Sequence, residues 1–104
     1  MTSDASLDRA LHAIADPTRR RILMALKERV AETKSAAEKP VHGPCLCGGE
    51  IEERIQLSQP TISHHMHILR KAGLVEATKQ GQWRWYRRNE KAIREVVKTL
   101  RGKL

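Results

Sequence analysis

Two groups of side chains in this 104-residue sequence have types and spacings suited to metal binding. Cys45 and Cys47 stand two residues apart, and His64, His65 and His67 fall within a run of four. Thiolates and imidazoles are the common protein ligands of zinc and of softer ions. Each group could therefore be a ligand set, a part of the core, or a surface that contacts a partner.

The histidines lie in a segment with helical periodicity. Ile62, Met66 and Leu69 recur at intervals of three and four residues, which predicts the buried face of a helix over 58–72. On that helix His64 and His67 face away from the core, and His65 flanks it. The three rings do not converge, so the run is not predicted to be a metal site; for His65 we expect a packed, hydrogen-bonded side chain.

The outer face of this helix instead carries groups that suit nucleic acid. Hydroxyl, amide, imidazole and ammonium groups can donate to phosphates and base edges, and a helix N-terminus favours anions. The alternative is a solvated polar face. The basic β-hairpin predicted directly after the helix favours DNA contact, and the predicted DNA-binding residues are Gln59, Thr61, Ser63, His64, His67 and Lys71 of the helix with Lys79, Gln82 and Arg84 of the hairpin.

The elements that must position these residues are predominantly helical, and together they predict a single domain over 1–104. Apolar spacing predicts a helix over 7–15, a second helix that Asp16 caps and Pro17 begins, and a short third helix over 50–55. We expect residues 31–44 to form a surface loop. We expect a mainly α (α+β) winged helix-turn-helix, with the helix-turn-helix at 50–72, the wing at 75–88 and a final amphipathic helix at 90–104.

Composition restricts the remaining possibilities. The net charge is +8, concentrated in the second half of the chain, which suits a phosphate-binding partner. Of the three aromatic residues, we expect Trp83 to anchor the hairpin to the core, and we leave Trp85 and Tyr86 open as stacking platforms. No apolar run is long enough for a membrane span and residues 1–10 lack a signal-peptide segment, so we expect a cytoplasmic protein with reduced thiols and no membrane partner.

Two blocks of the chain, ALHAIADPTRRRILMAL and LSQPTISHHMHILRKAGLVEATKQGQWRWYRRN, resemble the bacterial ArsR/SmtB family of winged-helix repressors. The resemblance implies a homodimer held by the first and last helices and bound to an inverted-repeat operator in double-stranded DNA. It implies that Gln59, Thr61, Ser63 and His64 enter the major groove. The unpartnered apolar stripe over 93–104 independently favours a dimer.

The resemblance also gives Cys45 and Cys47 a sensing role, because metal-sensing members carry a Cys-x-Cys on the helix before the recognition helix, which is the second helix of the helix-turn-helix, and this pair lies close to that place. No cofactor is required, and the inducer would be arsenic(III) or a zinc- or cadmium-type ion. A position at the start of the third helix would lower the pKa of the thiols. With two cysteines in the chain, His42 or a partner's His12 would have to complete such a site. A redox switch and a pair without function remain the alternatives.

The sequence therefore predicts a DNA-binding repressor released by a metal, metalloid or thiol-reactive inducer. The alternatives are a repressor of the same family without a small ligand, and a protein- or RNA-binding adaptor with the same fold. An enzyme is not expected, because no nucleophile, base and orienting group can be assembled from these residues.

Overall fold

The computed structural model of the protein describes residues 4–27 and 45–104. Its elements, in chain order, are α1 (Asp4–Ile14), α2 (Pro17–Lys27), β1 (Leu46–Cys47), α3 (Gly48–Ile55), α4 (Gln59–Lys71), β2 (Val75–Gln80), β3 (Trp83–Arg88) and α5 (Glu90–Lys103). The predicted winged helix-turn-helix, with four helices, a hairpin and a final helix, is confirmed. The predicted loop at 31–44 lies outside the described residues.

The helix boundaries follow from local chemistry. Asp16 caps α2, because its Oδ2 accepts a hydrogen bond from the backbone N–H of Arg19 at 3.0 Å, and Pro17 occupies the first helical position. At the end of α4 the chain turns at Gly73, whose φ of +77° is a left-handed conformation that costs glycine little. The cap of α2 at Asp16 and the end of α4 near position 72 match the predictions from the sequence.

One aliphatic core joins the helices to the sheet. All its members are small or aliphatic except Tyr86, as expected for a chain without phenylalanine. The largest fully buried side chains are Ile22, Leu26, Leu46, Ile51, Met66, Leu69 and Leu74. The helix carrying the histidines is therefore fixed through its Met66 and Leu69 face, and its opposite face remains exposed.

The sheet has three antiparallel strands in the order β1-β3-β2. The hairpin closes with Gln80 paired to Trp83 across a two-residue turn, in which Gly81 has a φ of +59°. Strand β1 was not predicted, and α3 begins at Gly48 rather than at position 50. The reason is long-range pairing, since two residues before α3 form a ladder with the wing strand β3.

Helix α5 packs beside α1 and leaves part of its apolar stripe uncovered. Asn89 caps α5 by accepting the backbone N–H of Ala92 at 3.1 Å. Val96 is buried, whereas Val97 is 50% exposed and Leu104 is 98% exposed. Within the described ranges, no helix is long and apolar enough to cross a membrane.

Candidate nucleic-acid interface

Helix α4 presents its polar residues on one side. The period of 3.6 residues that buries Ile62 and Met66 turns the remaining positions outward. The exposed polar side chains on α4 are Gln59, Ser63, His64, His67, Arg70 and Lys71, and Thr61 is half-buried at the first turn. All six residues predicted to bind DNA from this helix therefore remain at least partly accessible.

The first turn of α4 leaves backbone N–H groups available to a ligand. Ser58 is the N-cap, but its side chain makes no capping hydrogen bond. Its hydroxyl instead lies 2.9 Å from the hydroxyl of Thr61. Because the first amides of a helix lack intrahelical partners, this end of α4 can donate to a phosphate oxygen.

The tip of the wing is exposed and basic. Lys79, Gln82 and Arg84 surround the turn at Gly81, and all three side chains are exposed. Farther down the hairpin, Arg87 pairs with Glu76 at 2.9 Å. Among the described residues, no ion pair engages the three predicted DNA-binding cations, Lys71, Lys79 and Arg84. No acidic group in the described ranges therefore neutralises these three charges.

A cleft of about 330 Å³ separates α4 from the wing and brings part of the predicted set together. Gln59 and Ser63 line it from α4, while Gln82 and Arg84 line it from the hairpin. The other five predicted DNA-binding residues do not line this cleft; they are Thr61, His64, His67, Lys71 and Lys79. Amide, hydroxyl and guanidinium groups from two elements thus converge on one concave surface, which can accommodate the backbone of a nucleic acid.

Trp83 also lines this cleft and is 52% exposed, so its predicted role as a core anchor is wrong. Trp85 is buried at 3% exposure and Tyr86 at 8%, so these two residues anchor the hairpin instead. Trp83 pairs with Gln80 at the turn, where the ribbon extends beyond the body of the protein. Its place next to the glycine turn was the sequence signal that it lies at the tip.

Cys45 and Cys47 lie on one face of the short segment that contains β1. Strand alternation places Leu46 in the main core, while both cysteine side chains are buried in a separate small cluster with Trp85. Cys47 is opposite Trp85 in the ladder. Among residues 4–27 and 45–104, no group of three or more possible ligands could hold a metal ion. The described donors therefore do not form a complete metal site, and His42 lies outside them.

The pKa of the Cys47 thiol is raised, which corrects the prediction of a lowered pKa. The largest cause is burial, which disfavours the thiolate. The backbone N–H of Cys47 donates to Glu50 Oε1 at 3.0 Å, and the charge of this carboxylate also opposes ionisation. The N-terminus of α3 does not compensate for these two effects.

Comparison with known proteins identifies relatives that regulate transcription. Residues 42–77 match the family described as bacterial regulatory protein, arsR family. A helix-turn-helix transcriptional regulator of Methanocaldococcus jannaschii is 37% identical over 88 residues, 85% of this chain and 83% of that protein. The transcriptional repressor SdpR of Bacillus subtilis is 31% identical over 91 residues, 88% of this chain and 84% of that protein.

One further sequence relative and one solved structure are also similar to this chain. The arsenical resistance operon repressor of Staphylococcus aureus is 38% identical over 55 residues, 53% of each chain. The crystal structure of an ArsR family transcriptional regulator superposes with a TM-score of 0.72 at 21% identity, covering 97% of this chain and 88% of the other, and supports the fold alone. Because the relatives are regulators, the prediction that this chain is not an enzyme is confirmed.

Proposed function

This chain belongs to the ArsR family of bacterial regulatory proteins, and on that premise we propose that it is a sequence-specific, DNA-binding transcriptional repressor. The protein acts in the cytoplasm on double-stranded operator DNA and requires no cofactor to bind it. Within the single domain 1–104, residues 50–72 form the helix-turn-helix, 75–88 the wing and 90–104 the dimerisation helix.

The observation that carries this proposal is the convergence of α4 and the wing on one cleft, which Gln59 and Ser63 line from the helix and Gln82 and Arg84 line from the hairpin. In a winged helix-turn-helix, the second helix enters the major groove and contacts base edges. Gln59, Thr61, Ser63 and His64 occupy the N-terminal half of α4, the part that reads bases. His67 and Lys71 follow on the exposed surface toward its C-terminal end and are proposed to contact phosphates.

The wing supplies the second group of contacts. Lys79 and Arg84 are cations at the tip that form no ion pair with another described residue, and Gln82 lies between them at the turn. Neutralising phosphates releases condensed counterions, which gives affinity that falls with salt. Trp83 joins this set because its exposed ring can pack against a sugar or a base at the edge of the cleft.

A homodimer through α1 and α5 is the second part of the proposal. Its support is the apolar stripe over 93–104, where Val97 on α5 and Leu104 directly after it are exposed although Val96 is buried. A two-fold contact would bury these side chains and place two α4 helices on successive turns of an inverted repeat.

Substitutions at the proposed interface test the DNA-binding role. We expect His64→Ala and Arg84→Ala each to weaken operator binding by about tenfold, because each removes a contact to a base or a phosphate. Arg87→Ala is the matched control, since this arginine lies on the same strand but is paired with Glu76. Fluorescence anisotropy with a duplex from the promoter of the protein's own gene measures the affinities. Unchanged affinity in both His64→Ala and Arg84→Ala would reject the proposed face.

An adaptor that binds protein or RNA is the competing function for this fold. Such an adaptor would show no sequence preference among DNA duplexes. Steeply salt-dependent and sequence-selective duplex binding would exclude it.

We further propose that an inducer acting at Cys45 and Cys47 releases the repressor from DNA. The support is the pairing of β1 with β3, because Cys47 lies opposite Trp85 on the strand that also carries Arg84. A compound that modifies the buried thiols must displace Trp85, and this displacement would disturb the wing. A metal or metalloid inducer would need a further ligand from outside the described residues, so we derive no step through it.

The double variant Cys45→Ser/Cys47→Ser tests this second proposal. We expect it to bind operator with the wild-type affinity and to lose any response to arsenite, zinc, cadmium or an oxidant. Release that persists in the double variant would place the inducer site elsewhere. A wild-type protein that responds to none of these compounds would favour the family alternative without a small ligand.

A further inference from the structure

Among the residues that the structure describes, Arg19 is a charged residue that is nevertheless buried, with an exposed fraction of 7%. Its guanidinium makes three hydrogen bonds that join separate elements. Nε donates to the carbonyl oxygen of Ala13 at 2.6 Å, and Nη2 donates to that of His12 at 3.1 Å. The third contact joins Nη1 to Nδ1 of His65 at 3.2 Å. One side chain of α2 therefore binds the C-terminal carbonyls of α1 and a ring on α4.

This geometry fixes the chemical state of His65. A guanidinium has donors but no acceptor, so Nδ1 of His65 must accept and cannot carry a proton. The imidazole is therefore neutral, with its hydrogen on Nε2. A doubly protonated ring would place an N–H and a positive charge against Arg19, and the contact would break.

The Arg19–His65 contact affects the proposed DNA interface because His65 lies on α4, the helix that carries most of that interface. His65 lies between His64, which is exposed on the polar face, and Met66, which is in the core. The rings of His64 and His65 are 5.7 Å apart. A polar contact at the edge of the buried face resists rotation of α4 about its axis, whereas aliphatic packing at Ile62 and Leu69 is less directional.

We propose that Arg19 and His65 are positioning residues that hold α4 in the rotation required for DNA reading. This inference rests on the DNA-binding function proposed above. Arg19 is anchored to two carbonyls at the end of α1, so it provides a fixed point on the body of the protein. Because His65 must remain neutral, its protonation releases α4, and the orientation of the DNA-reading face becomes sensitive to pH.

The charges around His65 agree with this arrangement. Its pKa is lowered, first by burial and then by the charges of Arg19 and His64, while Asp16 opposes the shift. The folded protein thus favours the neutral ring more than the unfolded chain does. The stability that this difference contributes is present above the usual histidine pKa and is lost as the pH falls toward the lowered value.

Two substitutions with similar helix propensity separate this role from simple packing. His65→Asn retains an acceptor near the position of Nδ1 and cannot be protonated, whereas His65→Phe retains a ring and removes the acceptor. At about pH 8, we expect His65→Phe to bind operator about tenfold more weakly and His65→Asn to remain within about twofold of wild type. Urea unfolding verifies that each variant is folded.

The pH profile provides the readout that a packing role would not change. Because DNA binding as a whole can vary with pH, the informative quantity is the wild-type dissociation constant divided by that of His65→Asn. We expect this ratio to rise about fivefold or more between about pH 8 and about pH 5. Wild-type affinity in His65→Phe, or a ratio that does not change with pH, would overturn the proposal.

A measurement without DNA distinguishes failure of this inference from failure of the proposed function. NMR of the free protein can follow the titration of the His65 ring together with the backbone amides of α4. We expect the amides of His64 and His67 to shift with that titration in wild type, relative to His65→Asn. If the wild-type protein binds no DNA, the function proposed above fails, and these amide shifts still decide whether His65 positions α4. Titration of His65 without them would overturn the positioning role.

Discussion

At the scale of single residues, the two tryptophans show how position in a hairpin determines the role of a side chain. Trp83 and Trp85 point to the same face of β3, yet one is 52% exposed and the other 3% exposed. Trp85 packs against the two thiols beside β1, whereas Trp83 lies at the turn beyond the body of the protein. Burial makes Trp85 a structural residue, and exposure at the cleft leaves Trp83 available to a partner.

Substitution of each tryptophan should therefore affect a different property. We expect Trp85→Ala to lower the free energy of unfolding by about 3–5 kcal/mol, because it leaves a cavity in the core. Trp83→Ala should change it by less than about 0.5 kcal/mol and weaken DNA binding by about threefold to tenfold. Urea denaturation and anisotropy measure the two effects. A larger loss of stability in Trp83→Ala than in Trp85→Ala would contradict these roles.

At the scale of elements, the ends of α3 and α4 determine how the helix-turn-helix is joined. The C-cap of α3 is Gln56, which has a φ of +64°, and α4 is followed by Gly73 with a φ of +77°. The backbone thus adopts the same left-handed conformation at a glutamine after α3 and at a glycine after α4. A residue with a Cβ is strained there by about 1 kcal/mol.

Opposite substitutions at these two positions should have opposite effects. We expect Gln56→Gly to raise the free energy of unfolding by up to about 1 kcal/mol, because it relieves strain. We expect Gly73→Ala to lower it by about 1 kcal/mol, although open space surrounds that position. Thermal or urea unfolding measures both variants. Equal changes of the same sign would show that backbone conformation does not dominate at these positions.

Local patterns in the sequence predict part of this architecture, and long-range contacts determine the rest. The spacing of Ile62, Met66 and Leu69 is sufficient to predict the buried face of α4, because helical period and burial are local properties. The pairing of β1 with β3 joins residues about 40 positions apart, so the sequence did not reveal β1 or the burial of Cys47. The Arg19–His65 contact depends in the same way on how α2 and α4 pack.

At the scale of the whole molecule, the proposed DNA surface and the proposed dimer surface lie on different elements. The proposed DNA-binding cations are on α4 and the wing, whereas the exposed Val97 is on α5 and the exposed Leu104 directly follows that helix. This separation suits a protein that uses one surface for DNA and another for a second copy of itself.

A charged substitution on α5 tests the proposed dimer. We expect Val97→Asp to shift the protein to monomers, because the carboxylate would be buried without a partner at the two-fold contact. Lys98→Asp is the matched control, since it introduces the same side chain at the adjacent exposed position. Analytical ultracentrifugation measures the populations. A dimer that withstands Val97→Asp as well as Lys98→Asp would place the interface elsewhere.

The central claim, a repressor that reads DNA through α4 and the wing, is tested most directly by the salt dependence of binding to the promoter of its own gene. Anisotropy of the wild-type protein at about 50 mM and about 200 mM salt, with an unrelated duplex as competitor, provides the data. We predict two protomers per inverted repeat, a loss of affinity of about a thousandfold over that range, and a preference for the promoter of at least about a thousandfold. Binding that is insensitive to salt, or equal for both duplexes, would contradict the claim.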